Sequence, residues 1–292
     1  MNISYQTVRN VKEGVRNLKR IGLLAGSLRA ESYARKVARN LGLLVPNTVL
    51  AEPISIAHLP LLHDHLSRRE QDACQAFKEQ VQRMDAFCIV TPEINRGIPG
   101  CLKNALDIAS VSYQGSLWEH KPVLIASVST GKLGGLSASQ QLKQLALVLG
   151  MQPVQPTEIY ISDVRRLFAD HEVLTDDSVL PFLKLAVDNL IAAMPGETPT
   201  STLTFQIGTD KIRLLQQEKQ VGQATFQWST GSLVISSITI EPEFEHRGLA
   251  GQLMLKLIMI ARLFNLGIVA KCSYSQAFFK QHPALGKALR LQ

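Results

Sequence analysis

Three short segments carry the residues best suited to hold a ligand. Gly26-Ser-Leu-Arg-Ala-Glu-Ser-Tyr-Ala-Arg35 offers the hydroxyls of Ser27 and Ser32 and the guanidinium of Arg29. A guanidinium fork matches phosphate geometry, and a helix starting at such a segment presents free N–H groups to an anion. The pattern is not GxGxxG, so a terminal monophosphate suits it better than a dinucleotide. The plain alternative leaves Ser32 as an N-cap and Arg29 on the surface. Thr91-Pro-Glu-Ile-Asn-Arg-Gly-Ile-Pro-Gly100 is stiffened by two prolines, and Asn95 in it offers both a donor and an acceptor to a planar ligand. Ser129-Thr-Gly-Lys-Leu-Gly-Gly135 has three glycines that allow close backbone approach. A rigid connection and a flexible turn are the respective alternatives. If all three follow strands of one sheet, they describe a single cleft for a flat, phosphorylated molecule.

The elements needed for that are legible. Ile21–Gly26, Thr48–Ile56, Ala86–Thr91, Pro122–Val128 and Glu158–Ile161 read as strands, several of them continuously apolar as in buried parallel sheets. Between them, Tyr33, Val37, Ala38 and Leu41 recur at helical spacing, as do Leu102, Ala105, Leu106 and Ala109. Gln71–Val81, Ala138–Leu149 and Asp177–Met194 read as further helices. Alternating strands and helices predict an α/β three-layer unit, whose ligands sit beyond the carboxyl ends of the strands.

A Pro/Gly/Thr-rich stretch at 195–201 predicts a linker between a domain at 1–194 and a smaller one at 202–292. In the smaller one, Leu203–Gln206, Lys211–Leu215, Val221–Trp228 and Ser232–Ile240 read as strands, followed by a helix with Leu253, Met254, Leu257 and Ala261 on one face. That order predicts an α+β domain. His246, Arg247, Gly248, Leu249 and Ala250 are expected to open this helix, where small residues let amides reach a pyrophosphate. An ordinary strand-to-helix turn is the alternative. Cys272 reads as a nucleophile or a buried structural thiol, and His282 as a capping or packing residue.

The 292 residues carry a formal charge of +7, of which +3 falls in 1–194 and +4 in 195–292. Aromatics total 6%, and no dense Lys/Arg run interleaves with them, which argues against a nucleic-acid groove. A mild positive bias suits anionic small ligands. No apolar run reaches the ~20 residues of a membrane helix. Four cysteines without paired spacing argue against a disulfide framework or zinc site, and a reducing cytoplasm is the expected compartment. His63-Asp-His65 lacks a third ligand and reads as a solvated loop. Arg9, Lys12, Arg16, Lys19 and Arg20 outline an extra basic helix over 1–20.

GSLRAESYARKVA, TPEINRGIPGCLKNALDIAS and STGKLGGLSA resemble the NADPH-dependent FMN reductase family, over roughly residues 20–190. The resemblance implies a flavodoxin-like fold with the FMN phosphate on Ser27, Arg29 and Ser32 beside Tyr33. It implies the flavin ring near Pro92, Glu93, Ile94, Asn95, Ser129, Gly131, Gly134 and Gly135. NADPH or NADH would then deliver hydride for a quinone, flavin or similar acceptor, in a homodimer or homotetramer. This chain departs from the family pattern at Ala34, Ile94, Ser137 and Ser139. The segment EHRGLA with VAKCSYSQAFFKQHPAL is similar to short GNAT-type acetyltransferases, over about 203–290. That likeness implies acetyl-CoA held by His246, Arg247, Gly248, Leu249 and Ala250, with Cys272 and Tyr274 near the acetyl group and an amine as acyl acceptor. Glu245 and His246 depart from the usual pattern. A non-catalytic flavin- and CoA-binding sensor or scaffold is the alternative that the departures motivate.

Overall fold

The computed structural model describes residues 18–112, 115–155, 158–168, 171–196 and 202–288. Residues 1–17 of the expected basic helix and 197–201 of the linker lie outside these residues, while Lys19 and Arg20 begin a strand instead of ending a helix, because their chain pairs with Val49 and Leu50.

The first sheet contains β1 (Lys19–Ala25), β2 (Val49–Ile54), β3 (Ala86–Pro92), β4 (Pro122–Val128), β5 (Gln152–Pro153) and β6 (Ile159–Ile161). Its order is β2-β1-β3-β4-β5, with β6 also on β4, and every pairing is parallel. The central strands are apolar at successive positions because both faces are covered. Ile21, Leu23, Cys88, Val90, Leu124 and Ala126 join one core, while Leu24, Phe87, Ile89, Val123 and Ile125 join the other. This alternation follows from the two-residue period of a strand. The covering helices are α1 (Tyr33–Leu44), α2 (Arg68–Gln82), α3 (Gly100–Ser110), α4 (Leu136–Val148), α5 (Val164–Leu167) and α6 (Leu180–Ala192). α1 and α6 close the first face, and α2, α3 and α4 the second. A capping box between Ser67 and Glu70 starts α2.

The second sheet has the order β11-β10-β9-β8-β7. β7 (Leu203–Ile207), β8 (Lys211–Gln216), β9 (Lys219–Ser229) and β10 (Ser232–Ile240) form antiparallel hairpins. The helix α7 (Leu249–Leu263) then crosses to β11 (Gly267–Ala270), which pairs parallel with β10. α8 (Ser273–Gln281) and α9 (Pro283–Ala288) follow. Sequence patterning reaches only as far as α7. β11 spans four residues, too few for a periodic signal, and its partner is set by the crossover.

The helix α7 packs on α1 and β2, and Leu23, Leu41, Leu257 and Leu263 share one core. Gly42 permits the approach: a Cβ there would stand 2.7 Å from Leu23 Cδ1 and 3.1 Å from the Leu263 methyls. Lys256 of α7 donates to the Val45 carbonyl at 2.6 Å, and Asn47 Nδ2 donates to the Gln252 carbonyl at 2.9 Å.

Burial, reinforced by the nearby Lys184 charge, pushes the Lys256 ammonium down from its ordinary 10.5 to about 7. The folded state therefore disfavours the charged form. Between about pH 7 and 10.5 the unfolded chain binds the extra proton, so stability rises with pH through that window. Lys256→Met removes the dependence. The stability gap between the variant and the parent is expected to shift by roughly 2 kcal/mol toward the parent from pH 7 to pH 9, measured by urea unfolding. An unchanged gap would contradict a buried, depressed amine.

Candidate functional site

β1, β3 and β4 are adjacent and parallel, and their ends are in near register: Ala25 lies opposite Val90, and Pro92 opposite Val128. The chain therefore leaves the sheet at three neighbouring points on one edge. The three segments singled out in the sequence are the turns that begin there.

The first turn is pinned at its base. Gly26 donates its N–H to Val90 O at 2.8 Å, and a Cβ at Gly26 would stand 2.8 Å from Leu102 Cδ2. Ser27 Oγ accepts the Arg29 N–H at 3.3 Å. Ser32 is the N-cap of α1, and its Oγ accepts the Arg35 N–H. The capping alternative for Ser32 is therefore realised. Its hydroxyl proton has no partner among the described residues, so capping and ligand binding are compatible. The Arg29 side chain is exposed, and its guanidinium makes no hydrogen bond or ion pair among the described residues. Tyr33 packs on Phe168, with ring centroids 6.4 Å apart. Ala34 is buried in the core.

The second turn is a two-residue reversal. Ile94 and Gly97 exchange both backbone hydrogen bonds at 2.9 Å, while Asn95 and Arg96 lie between them at φ 47° and 66°. Paired left-handed residues define a type I′ turn, which suits Asn but strains Arg. The Asn95 side-chain amide is exposed and makes no hydrogen bond among the described residues. Ile94 is 55% exposed.

Glu93 joins the second turn to the third. Its Oε2 accepts the N–H groups of Ser137 and Ala138 at 2.9 and 3.2 Å, at the start of α4, and its Oε1 accepts from Arg96 at 3.2 Å. The carboxylate thus sits on a helix N-terminus, where the dipole favours it. Gln141 adds a second tie by accepting the Ile98 N–H at 2.8 Å. Neither tie is legible in the sequence, because the partners lie 43 to 45 residues apart in the chain.

In the third turn, Ser129 Oγ accepts the Gly131 N–H at 3.0 Å. A Cβ at Gly131 would meet only Ser129 Oγ, at 3.5 Å, so the turn is open on that side. Gly134 and Gly135 have φ +58° and +82°, and a Cβ at Gly134 would stand 2.8 Å from the Tyr160 carbonyl carbon. Ser127 Oγ holds the Gly134 carbonyl at 2.7 Å. Nearby, Ser139 Oγ is buried without a partner among the described residues. Ser139→Ala removes an unsatisfied hydroxyl and raises helix propensity. It is expected to stabilise by about 1 kcal/mol, read as a melting temperature higher by about 2 °C.

The donor set at this edge comprises a free guanidinium, a free carboxamide, Ser hydroxyls and open backbone near Gly131. It fits a phosphate on one side and a planar heterocycle on the other. Among the described residues no three His, Cys, Asp or Glu are grouped, and no helix is long and apolar enough to cross a membrane.

The second sheet carries its own turn. The segment after β10 forms a short 3₁₀ helix at Pro242–Phe244. Contrary to expectation, His246, Arg247 and Gly248 do not open α7. His246 is left-handed at φ 61°, Gly248 is the left-handed N-cap at φ 76°, and the helix begins at Leu249. The reason is local: a left-handed residue interrupts the helical backbone, and Gly248 supplies one without steric cost. Arg247 lies over the Phe244 ring at 5.2 Å, and Glu245 reaches His246 at 3.9 Å. Tyr274 Oη would stand 3.9 Å from a Cβ on Gly251, which brings Tyr274 to the first turn of α7, where Leu249 and Ala250 lie. Burial raises the Tyr274 phenol above its ordinary value, so it stays protonated at neutral pH. Cys272 is the N-cap of α8: its Sγ accepts the Ser275 N–H at 3.4 Å and donates to Ser275 Oγ at 3.1 Å. His282 is the C-cap of α8 and packs on Phe278 at 4.5 Å. In the His63-Asp-His65 segment, His63 Nδ1 accepts the His65 N–H at 3.1 Å.

A parallel three-layer sheet with phosphate-suited turns at its carboxyl edge defines a flavodoxin-like unit, and the mixed sheet with its capped crossover helix defines a GNAT-like one. The NADPH-dependent FMN reductase model matches residues 19–165, and the GCN5-related N-acetyl-transferase model matches residues 208–289. A quinone reductase of Pseudomonas putida is 41% identical over 169 residues, covering 58% of this chain and 90% of that protein. A 2-hydroxy-1,4-benzoquinone reductase of a Burkholderia species is 34% identical over 160 residues, covering 54% of this chain and 87% of that protein. The solved flavoenzyme NAD(P)H:(acceptor) oxidoreductase of Paracoccus denitrificans aligns with a TM-score of 0.56 and 28% identity, over 61% of this chain and 100% of its own. The chain belongs to the NADPH-dependent FMN reductase family. It is an NAD(P)H-dependent FMN oxidoreductase joined to a GNAT-like domain.

Proposed function

We propose that FMN lies across the three turns, with its phosphate on Ser27, Arg29 and Ser32 beside Tyr33. Its ring lies near Pro92, Glu93, Ile94, Asn95, Ser129, Gly131, Gly134 and Gly135. The observation that carries this reading is the adjacency of β1, β3 and β4, which brings the turns side by side. Bound flavin would supply hydride acceptance from NAD(P)H and onward reduction of the acceptor. The chain's own residues bind and orient. Arg29 neutralises the phosphate, Asn95 offers a donor and an acceptor to the ring edge, and Glu93 keeps the second and third turns in register. No side chain is required as acid or base.

A quinone is the favoured acceptor, on the strength of the quinone reductase relatives. Leu28, Ile94, Leu133 and Leu136 are 51%, 55%, 57% and 40% exposed on the turns, which favours a second subunit against this edge and a homo-oligomeric enzyme. With FMN added, the protein is expected to oxidise NADPH when benzoquinone is present. A yellow protein that leaves NADPH intact with every quinone tried would favour the scaffold reading.

For the second domain we infer acetyl-CoA binding at the start of α7. The pyrophosphate would lie on the amides after His246, Arg247 and Gly248, at Leu249 and Ala250, with Cys272 and Tyr274 toward the acetyl group and an amine as acceptor. A Cβ at Gly248 would meet nothing within 4 Å, so the backbone there is open to a ligand. Calorimetric titration with acetyl-CoA is expected to saturate at one per chain, and Arg247→Gln to weaken it. Absence of both heat and thermal shift would remove the transferase reading.

A further inference from the structure

A cavity of about 1000 Å³ lies away from both sites, between α1 and α6 on one side and β7 with α7 on the other. That is the upper end of the ~300–1000 Å³ usual for small-molecule sites. Its walls include Leu44, Val45, Leu180, Ile191, Phe205 and Ile207, contributed by both halves of the molecule. β7 is the sheet edge, and its Leu203, Phe205 and Ile207 remain only half-buried.

The cavity also holds Lys256, which is 1% exposed. Its Nζ donates to the Val45 carbonyl at 2.6 Å and stands 5.1 Å from the Phe205 ring centre. An ammonium has three N–H donors, and among the described residues only this one hydrogen bond and no carboxylate serve it. The charge that acts on it is another cation, Lys184. Of the two acids lining the cavity, Asp188 is already paired with Lys184, and Asp177 makes no ion pair with Lys256. Burial without a counter-ion disfavours the charged form of this amine, and an anion arriving through the cavity would pair with the ammonium and restore it.

We propose that this cleft binds a small amphiphilic carboxylate. The carboxylate pairs with Lys256, and the apolar body lies against Phe205, Ile207, Leu180 and Ile191. The site differs from the flavin and acetyl-CoA sites in both lining and ligand.

Dodecanoate is the probe, titrated calorimetrically into the full chain, with dodecyltrimethylammonium as the same-length cation. Dodecanoate is expected to bind at one per chain and the cation not to bind. Lys256→Met is expected to weaken dodecanoate roughly tenfold or more, the loss of a charge-assisted hydrogen bond. Methionine fills the same buried space without a charge, so the fold should survive, as circular dichroism would show. Ile207→Trp, at the half-exposed edge strand, should block binding by filling the cavity. The proposal is overturned if dodecanoate gives no heat, if uptake exceeds one per chain, if the cation binds equally well, or if Lys256→Met binds as tightly as the parent.

Discussion

Arg29→Gln is expected to weaken FMN binding roughly 10- to 100-fold while moving the melting temperature by less than about 1 °C. The two halves of this expectation rest on one observation: the Arg29 side chain is exposed and its guanidinium has no partner among the described residues. Nothing in the folded protein is lost when it is removed, so stability is untouched. A charge-assisted hydrogen bond to phosphate is worth about 1.5–3 kcal/mol, and the affinity loss is that figure converted. Arg29→Lys should fall between, because a lysine keeps the charge and loses the fork. Quenching of flavin fluorescence during titration reads all three proteins. If Arg29→Gln binds FMN like the parent, the phosphate does not lie on the first turn.

Glu93→Ala is expected to lower both stability and FMN affinity. The carboxylate is 13% exposed and holds two backbone N–H groups at the start of α4 as well as Arg96. Removing it leaves the amides of Ser137 and Ala138 without their acceptor and frees a turn whose Arg96 is held in the left-handed region. The expected cost is about 2–3 kcal/mol, or a melting temperature lower by about 5 °C or more. FMN affinity should fall with it, because the second and third turns lose their mutual register. Glu93→Gln keeps one acceptor oxygen and should recover part of both losses. An alanine variant that melts like the parent would show that the two turns are held by other contacts, Gln141 foremost.

The legible part of this molecule is the part governed by short-range periodicity. Continuous apolar runs at Ala86–Thr91 and Pro122–Val128 announced strands covered on both faces, and the alternation of Phe87 and Ile89 against Cys88 and Val90 between two cores is the physical content of that pattern. Ser32 was readable as a cap because its type and its place before an apolar helical repeat are local facts. What was not legible depends on partners distant in the chain. The tie from Glu93 to the amides of Ser137 and Ala138 is of this kind, its partners 44 and 45 residues apart in the chain. The capping role of Cys272 is hidden for a different reason: its partner Ser275 is only three residues on, but α8 has too mixed a pattern to be seen in the sequence. His246 and Arg247 were assigned to a helix because only the backbone shows that Gly248 turns left-handed before it begins. The inter-domain cleft is invisible because Lys256 and the Val45 carbonyl that it meets lie 211 residues apart in the chain.

The most direct test of the account is a titration of FMN into the flavin-free protein, followed by flavin fluorescence. Three turns closing on one flavin predict quenching that saturates at one FMN per chain and is reversed by competing excess riboflavin monophosphate analogues but not by riboflavin, which lacks the phosphate. Fluorescence that stays unchanged throughout, or riboflavin that competes as well as FMN, would contradict it.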